Sequence, residues 1–71
     1  MTIHRLMNAG NVAADVHIEV FDFFHNRSIY SGPYDESPVS VHLATVDSFE
    51  VTHTRERDGR LYIDRVTITL E

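Results

Sequence analysis

The dipeptide Asp58-Gly59 constrains this chain of 71 residues more than any other feature, because it is a preferred sequence for the two-residue turn of a β-hairpin. Runs rich in β-branched and aromatic residues, which are typical of strands, flank it on both sides from Val46 to Glu71. The last third of the chain is therefore predicted to be an antiparallel hairpin.

The register of this hairpin follows from counting outward from the turn. The face that carries Phe49 and Val51 is largely apolar and the other face is polar, as a half-buried antiparallel sheet requires. A shift by one residue would set Phe49 opposite a threonine and mix the two faces. The predicted pairs are Arg57 with Arg60 at the turn, then Val51 with Val66, Phe49 with Ile68 and Asp47 with Leu70 on one face, and Thr52 with Arg65, Glu50 with Thr67 and Ser48 with Thr69 on the other.

Close to the turn the alternation reverses. Leu61 and Ile63 fall on the polar face, while Tyr62 shares the apolar face with Arg55. Strong twist or a bulge near Asp64-Arg65 would explain the reversal, and an apolar pair exposed to meet another chain is the alternative. We favour the first explanation, strong twist or a bulge.

Size and composition indicate one domain of marginal stability. A chain of this length buries roughly 60% of its unfolded surface, and without cysteine it has neither a disulfide nor a thiolate metal site. Oligomerisation is the remaining common source of stability. No apolar run approaches the roughly 20 residues of a membrane span, and the N-terminus lacks the apolar core of a signal peptide. We therefore expect a cytoplasmic protein without membrane contact.

The charge pattern argues against direct binding of nucleic acid. The net charge is −5, whereas nucleic-acid-binding proteins neutralise phosphates with a basic surface. An acidic surface usually serves solubility, and the alternative is an acidic face that imitates nucleic acid toward a basic partner. Acidic residues are spread along the chain, but four arginines surround the Asp58-Gly59 turn, namely Arg55, Arg57, Arg60 and Arg65.

Residues 1–14 are predicted to be an N-terminal arm or a short helix, ahead of a sheet formed by residues 15–71. Thr2 is suited to cap a helix and Gly10 to end it. Two turns of helix are not stable alone, so this segment should dock on the sheet, bind another molecule or remain loose.

The stretch from Asp15 to Phe24 is predicted to be a strand, because apolar and polar residues alternate in it. The spacing of its valines also fits a helix, but β-branched and aromatic content favours the strand. Asn26 suits a turn with left-handed backbone. A short strand from Ser28 to Ser31 would complete a hairpin that Gly32-Pro33 ends.

Three phenylalanines, Phe21, Phe23 and Phe24, make both faces of this strand apolar near its end. We expect a second layer, supplied by the N-terminal segment or by another subunit, to bury them within the fold. A functional aromatic patch is the alternative.

The connection between the hairpins permits two interpretations. Ser37-Pro38 could open a helix, with the serine as N-cap and the proline at the first position. Val39, Val41 and Leu43 also alternate with polar residues as in a strand. We favour a short helical turn or an irregular crossover. The predicted fold class is α+β, with a four-stranded, mostly antiparallel sheet of two hairpins and one or two short helices.

No motif for catalysis, metal or cofactor binding is present. The five histidines are scattered instead of forming the close pairs typical of zinc ligands. There is no nucleophile elbow, catalytic cysteine or phosphate-binding glycine loop, and a domain this small leaves little room for a deep cleft. We therefore expect a protein that is not an enzyme and carries no cofactor or metal.

Residues from about 16 to 70 resemble the short acidic open reading frames carried by phages and mobile elements of bacteria. That group includes anti-CRISPR and other anti-defence inhibitors, which occupy a surface on a host complex. The resemblance implies inhibition by binding, with no catalytic motif to carry over. It rests on spacing and turn residues in Val20-Phe21-Asp22, Asn26-Arg27-x-Ile29-Tyr30-x-Gly32-Pro33, Asp35-Glu36-x-Pro38, Val46-Asp47-Ser48-Phe49 and Leu61-Tyr62-Ile63.

The leading hypothesis is a non-enzymatic inhibitor, encoded by a phage or prophage, that binds a bacterial defence (CRISPR-type) or nucleic-acid-processing complex. The alternative is a small structural or adaptor subunit that acts as a homodimer or larger assembly. In the first hypothesis an acidic surface meets a basic groove while aromatic and apolar anchors supply affinity. The candidate contacts are the acidic residues Asp22, Asp35, Glu36, Asp47 and Glu50 and the anchors Phe21, Phe23, Tyr30, Tyr34, Leu61, Tyr62 and Ile63.

Overall fold

Two β-hairpins lie side by side in one sheet in the computed structural model, which describes all residues from Met1 to Glu71. Short helices at the N-terminus and between the hairpins pack on one face of this sheet. The elements are α1 (Ile3–Met7), β1 (Val12–Asp22), β2 (Arg27–Pro33), a 3₁₀-helix (Tyr34–Glu36), α2 (Val39–His42), β3 (Val46–Arg57) and β4 (Arg60–Leu70).

The sheet is mixed, which corrects the expectation of a mostly antiparallel one. Its strand order is β2-β1-β4-β3. Each hairpin is antiparallel internally, but the central neighbours β1 and β4 run parallel. The segment with α2 carries the chain from one edge of the sheet to the other, so that β4, and not β3, lies beside β1. The α+β class is confirmed.

The predicted register of the second hairpin is confirmed over most of its length. The turn at Asp58-Gly59 has left-handed backbone, with φ of 53° and 80°. Two predicted pairs are wrong by one residue, because Leu70 pairs with Val46 and Arg65 pairs with His53 where the register shifts. The confirmed pairs are Arg57 with Arg60, Val51 with Val66, Phe49 with Ile68, Glu50 with Thr67 and Ser48 with Thr69.

The predicted irregularity near Asp64 is also present. The register shifts on both sides of His53, which breaks the alternation of both strands. Ile63 therefore packs against the core, although it lies an odd number of residues from the buried Val66. Leu61, nearer the turn, remains exposed.

The core lies on one face of the sheet, between the two central strands and the helices. Thr2 caps α1 by accepting a hydrogen bond from the Arg5 N–H at 3.2 Å, as predicted. Because α1 buries two side chains in the core, the N-terminal segment is docked on the sheet. The buried residues are Ile3, Met7, Val16, Ile18, Val20, Val41, Val66 and Ile68.

The connection between the hairpins is helical, as favoured, and not a strand. Its N-cap is Pro38, which makes no side-chain capping bond. The predicted N-cap, Ser37, instead donates its hydroxyl to the Tyr34 carbonyl at 2.6 Å and contacts His42 Nε2 at 2.7 Å. Ser37 therefore links the 3₁₀-helix to α2. The Tyr34 ring, which stacks on His42, adds a second contact between the same two helices.

Candidate protein-binding surface

Phe23 and Phe24 project from the turn between β1 and β2 and are 76% and 86% exposed. We call these two residues the aromatic tip. The expectation that they are buried within the fold is wrong, because β1 ends at Asp22 and the turn that follows has no face on the sheet. Two large adjacent apolar side chains in water are the most conspicuous exposed apolar feature of the molecule.

The backbone of this first turn, residues 23–26, is held by local hydrogen bonds. Asp22 Oδ1 accepts from the His25 N–H at 3.2 Å, and its Oδ2 contacts His25 Nδ1 at 2.6 Å. Asn26 adopts left-handed backbone with φ of 52° and donates its N–H to the Phe23 carbonyl at 3.2 Å. The rings of Phe24 and His25 meet edge to face with centroids 5.1 Å apart. The aromatic tip is therefore presented by an ordered turn.

The carboxylate of Asp22 is stabilised in its charged form. Hydrogen bonds from the His25 side chain and then from the His25 backbone lower the pKa of Asp22, and nearby Arg27 adds a smaller effect in the same direction. Asp22 is mostly covered by these contacts, with 14% of its side chain exposed. Its main role in this structure is to hold the turn.

Acidic side chains lie beside the aromatic tip. Leu70 pairs with both Asp22 and Val46, so β3 begins at the same end of the sheet as the first turn. An open groove of about 520 Å³ runs between them. It is lined by Phe23, Phe24, Asp47, Ser48, Thr69, Leu70 and Glu71. The aromatic tip thus has two exposed carboxylates, those of Asp47 and Glu71, in its surroundings.

The other predicted acidic contacts lie elsewhere. Glu50 is exposed on the sheet face that the helices leave open, opposite Thr67. Asp35 and Glu36 are exposed in the 3₁₀-helix, which follows the end of β2 remote from the first turn. The five predicted acidic residues therefore do not form one patch, and only Asp22 and Asp47 lie near the aromatic tip.

Three predicted anchors are half-buried and pack against the core, namely Tyr30, Tyr34 and Ile63. The Tyr30 hydroxyl donates to the Pro33 carbonyl at 2.6 Å. Burial raises the pKa of both tyrosines, and the charges of Glu36 and Asp35 add to the effect at Tyr30. Phe21 is half-buried on the open face of the sheet, opposite Thr69.

The remaining predicted anchors lie near the Asp58-Gly59 turn, which we call the second turn. Leu61 is exposed, and Tyr62 lines a cleft of about 680 Å³ between the second turn and the start of β1. Arg55 crosses this cleft to bind Asp15, and it contacts Asp64 at 3.0 Å. The hydrogen bond from Arg55 lowers the pKa of Asp15 and raises that of the arginine.

Of the residues that line this groove, only Phe23 and Asp47 were among the predicted contacts. Phe24 was considered only as part of the alternative aromatic patch, and Glu71 was not considered. The available signal for Phe24 was its position directly before His25-Asn26, where a turn was expected. A residue in a turn cannot be assigned to a sheet face by alternation. The proximity of Glu71 depends on the parallel pairing of β1 and β4, which brings the end of β4 to the first turn.

No group of three or more His, Cys, Asp or Glu side chains is placed to hold a metal ion. None of the helices is long and apolar enough to cross a membrane. No protein-family model matches the chain, and neither does a curated protein or a solved structure.

Proposed function

We propose that this protein is a non-enzymatic binding protein that inserts its aromatic tip into an apolar pocket of a protein partner. The observation that carries the proposal is the near-complete exposure of Phe23 and Phe24 on an ordered turn. Aromatic side chains supply most of the affinity at many interfaces when they enter a pocket and lose their water. A fixed turn reduces the conformational entropy lost on binding.

The charges around the aromatic tip favour a basic partner. Asp47 and Glu71 line the groove beside the phenylalanines, neither forms a salt bridge within the chain, and the whole protein carries a net charge of −5. Complementary charge accelerates association and excludes acidic partners. A basic groove that normally receives nucleic acid has the required charge.

The class of partner comes from the resemblance to small acidic phage proteins. We propose an inhibitor encoded by a phage or prophage, which acts in the host cytoplasm on a bacterial defence complex of the CRISPR type or on another nucleic-acid-processing complex. Occupation of the basic groove would exclude nucleic acid from it, so inhibition needs no catalytic residue.

The test is capture of partners by the tagged full-length protein from a nuclease-treated bacterial lysate, followed by mass spectrometry. Nuclease treatment ensures that a partner is not recovered through bound nucleic acid. We expect recovery of a basic defence or nucleic-acid-processing protein, and we expect F23A/F24A to lose it. V39A/L43A is the matched control, because it removes two exposed apolar side chains from α2 and its C-terminal end. Equal recovery by both variants would contradict the proposal.

A second function, that of a structural or adaptor subunit acting through homo-oligomerisation, is favoured by a different observation. β3 lies at the edge of the sheet and pairs with β4 alone. An unpaired edge strand is a template for another strand.

A further inference from the structure

The outer edge of β3 is long and has no strand beside it, and its pairing with β4 is regular from Ser48 to Val51. The strand has 12 residues, from Val46 to Arg57, and neighbours only β4 in the sheet. The N-terminal segment reaches only its first residue, where the Val46 N–H donates to the Met1 carbonyl at 2.7 Å. β3 contains neither proline nor lysine, the residues that commonly block pairing at an edge.

The core face of the sheet continues onto β3 without a cover. Phe49 and Val51 pair with the buried Ile68 and Val66, yet they are 49% and 38% exposed. The helices bury their side chains among the central strands and leave this apolar ledge, Phe49 and Val51, in water. Only eight hydrophobic residues are buried in the whole chain, so covering the ledge would enlarge a small core.

The charges along β3 are complementary to β3 itself. Its first half carries Asp47 and Glu50, whereas its second half carries Arg55 and Arg57 with one glutamate between them. Asp47, Glu50 and Arg57 form no salt bridge within the chain. Antiparallel pairing of two copies places the acidic half of each strand beside the basic half of the other.

We propose that two copies of this chain pair through the edges of β3, antiparallel and about a two-fold axis, to form one continuous sheet. This inference deepens the second function named above and is independent of the aromatic tip. An axis perpendicular to the sheet keeps the helices of both copies on one side and sets one residue opposite its own copy.

The residue on the axis is Val51. Glu50 in that position would place two carboxylates together, and Thr52 lies in the irregular part of the strand. With Val51 at the centre, the apolar ledges of both copies meet in the middle of the interface. The ledge side chains of the two copies then lie side by side on the core face and shield one another from water.

Sedimentation velocity of the full chain tests this dimer over protein concentrations from about 10 μM to about 1 mM. We expect the wild-type protein and F23A/F24A to be dimeric at the upper end. We expect V51K to raise the dimer dissociation constant by about 100-fold, since two lysines would face each other across the axis. V39K, at an exposed valine of α2, is the matched control and should remain dimeric. A wild-type monomer throughout, or equal effects of the two lysines, would overturn the proposal.

Cross-linking provides a test that does not require a disruptive variant. The chain has no cysteine, so V51C carries a single thiol. Directly opposed residues of an antiparallel pair have Cβ atoms about 5 Å apart, within reach of a short thiol-specific cross-linker. V51C should give a covalent dimer, and L61C, at the start of β4 beside the second turn, should not. Cross-linking of V51C no greater than that of L61C would overturn the proposed register.

Discussion

The two hairpin turns lie at opposite ends of a molecule 40 Å long. They use the same kind of backbone conformation but expose different side chains. Each contains a non-glycine residue in left-handed conformation, Asn26 in the first turn and Asp58 in the second. The first turn exposes two phenylalanines, whereas arginines flank the second. The left-handed backbone that both turns need therefore does not explain why the first turn carries two phenylalanines.

The difference separates what the turns need for folding from what they present to other molecules. Neither Phe23 nor Phe24 belongs to the core or packs against it. Charged side chains such as those at the second turn keep a projecting hairpin soluble. Because the two phenylalanines do not pack against the core, we expect them to add little to the free energy of unfolding. This expectation is the basis of the proposal that they contact a partner.

The largest expected effect is on the free energy of unfolding, and it compares the core with the aromatic tip. I68A removes a fully buried side chain and should lower the free energy of unfolding by roughly 2 to 5 kcal/mol. F23A/F24A should change it by less than about 0.5 kcal/mol, because exposed substitutions seldom matter. Urea unfolding followed by circular dichroism measures both. A substantial loss in the double variant would show that the aromatic tip serves folding.

The second effect concerns the left-handed residues. G59A should destabilise the protein by about 1 kcal/mol, because Gly59 has φ of 80° and a Cβ is strained there even though the space is open. N26G should change stability by a few tenths of a kcal/mol at most, since glycine accepts the same conformation. Urea unfolding distinguishes the two, and equal losses would mean that the Asn26 side chain itself holds the first turn.

The third effect is on stability in acid. The folded state lowers the pKa of Asp22 below the ordinary aspartate value of about 3.9. Its charge therefore stabilises the fold above that value, and the contribution is lost as the pH falls through the lower folded pKa. D22N should be less stable than wild type at neutral pH and should lose less stability between about pH 5 and pH 2.

The control for D22N is D35N, which removes an exposed carboxylate that accepts no hydrogen bond. Its stability should follow the wild-type pH dependence. Thermal unfolding across the pH range provides the comparison, and parallel curves for D22N and wild type would contradict the role assigned to Asp22.

The smallest expected effect is on affinity for the partner, and it compares Asp47 with the acidic residues of the 3₁₀-helix. D47N, beside the aromatic tip, should weaken binding of the basic partner and reduce the salt dependence of its affinity. D35N/E36Q removes two charges at the remote end of β2 and should weaken binding less, through long-range attraction alone. Titrations at two salt concentrations measure both. A larger loss of affinity for D35N/E36Q than for D47N would indicate that the partner binds at the 3₁₀-helix.

Local patterns in the sequence predicted local structure well. The Asp58-Gly59 turn fixed the register around Val51 and Val66, and the cap at Thr2 located α1. These features depend on residues close together in the chain or directly opposed across a turn. The irregularity near Asp64 is also a local feature, and the reversed alternation of apolar residues predicted it.

The surface required information that local patterns do not contain. Nothing in either hairpin specifies that β1 and β4 become parallel neighbours, and this pairing brings Glu71 near the first turn. Alternation assigned Phe23 and Phe24 to buried faces because it extended the strand by two residues past Asp22. The predicted anchors Tyr30 and Tyr34 pack against the core, which depends on the arrangement of the elements and not on local pattern.

The most direct test of the central claim is the affinity of the captured partner for wild type, F23A/F24A and L61A, measured by titration with purified components. L61A removes one exposed apolar side chain from the second turn and serves as the control. We predict a loss of about 100-fold or more for F23A/F24A, as for other aromatic anchors, and an unchanged affinity for L61A. Equal affinities of F23A/F24A and wild type would show that the partner binds elsewhere and would contradict the assignment of the aromatic tip.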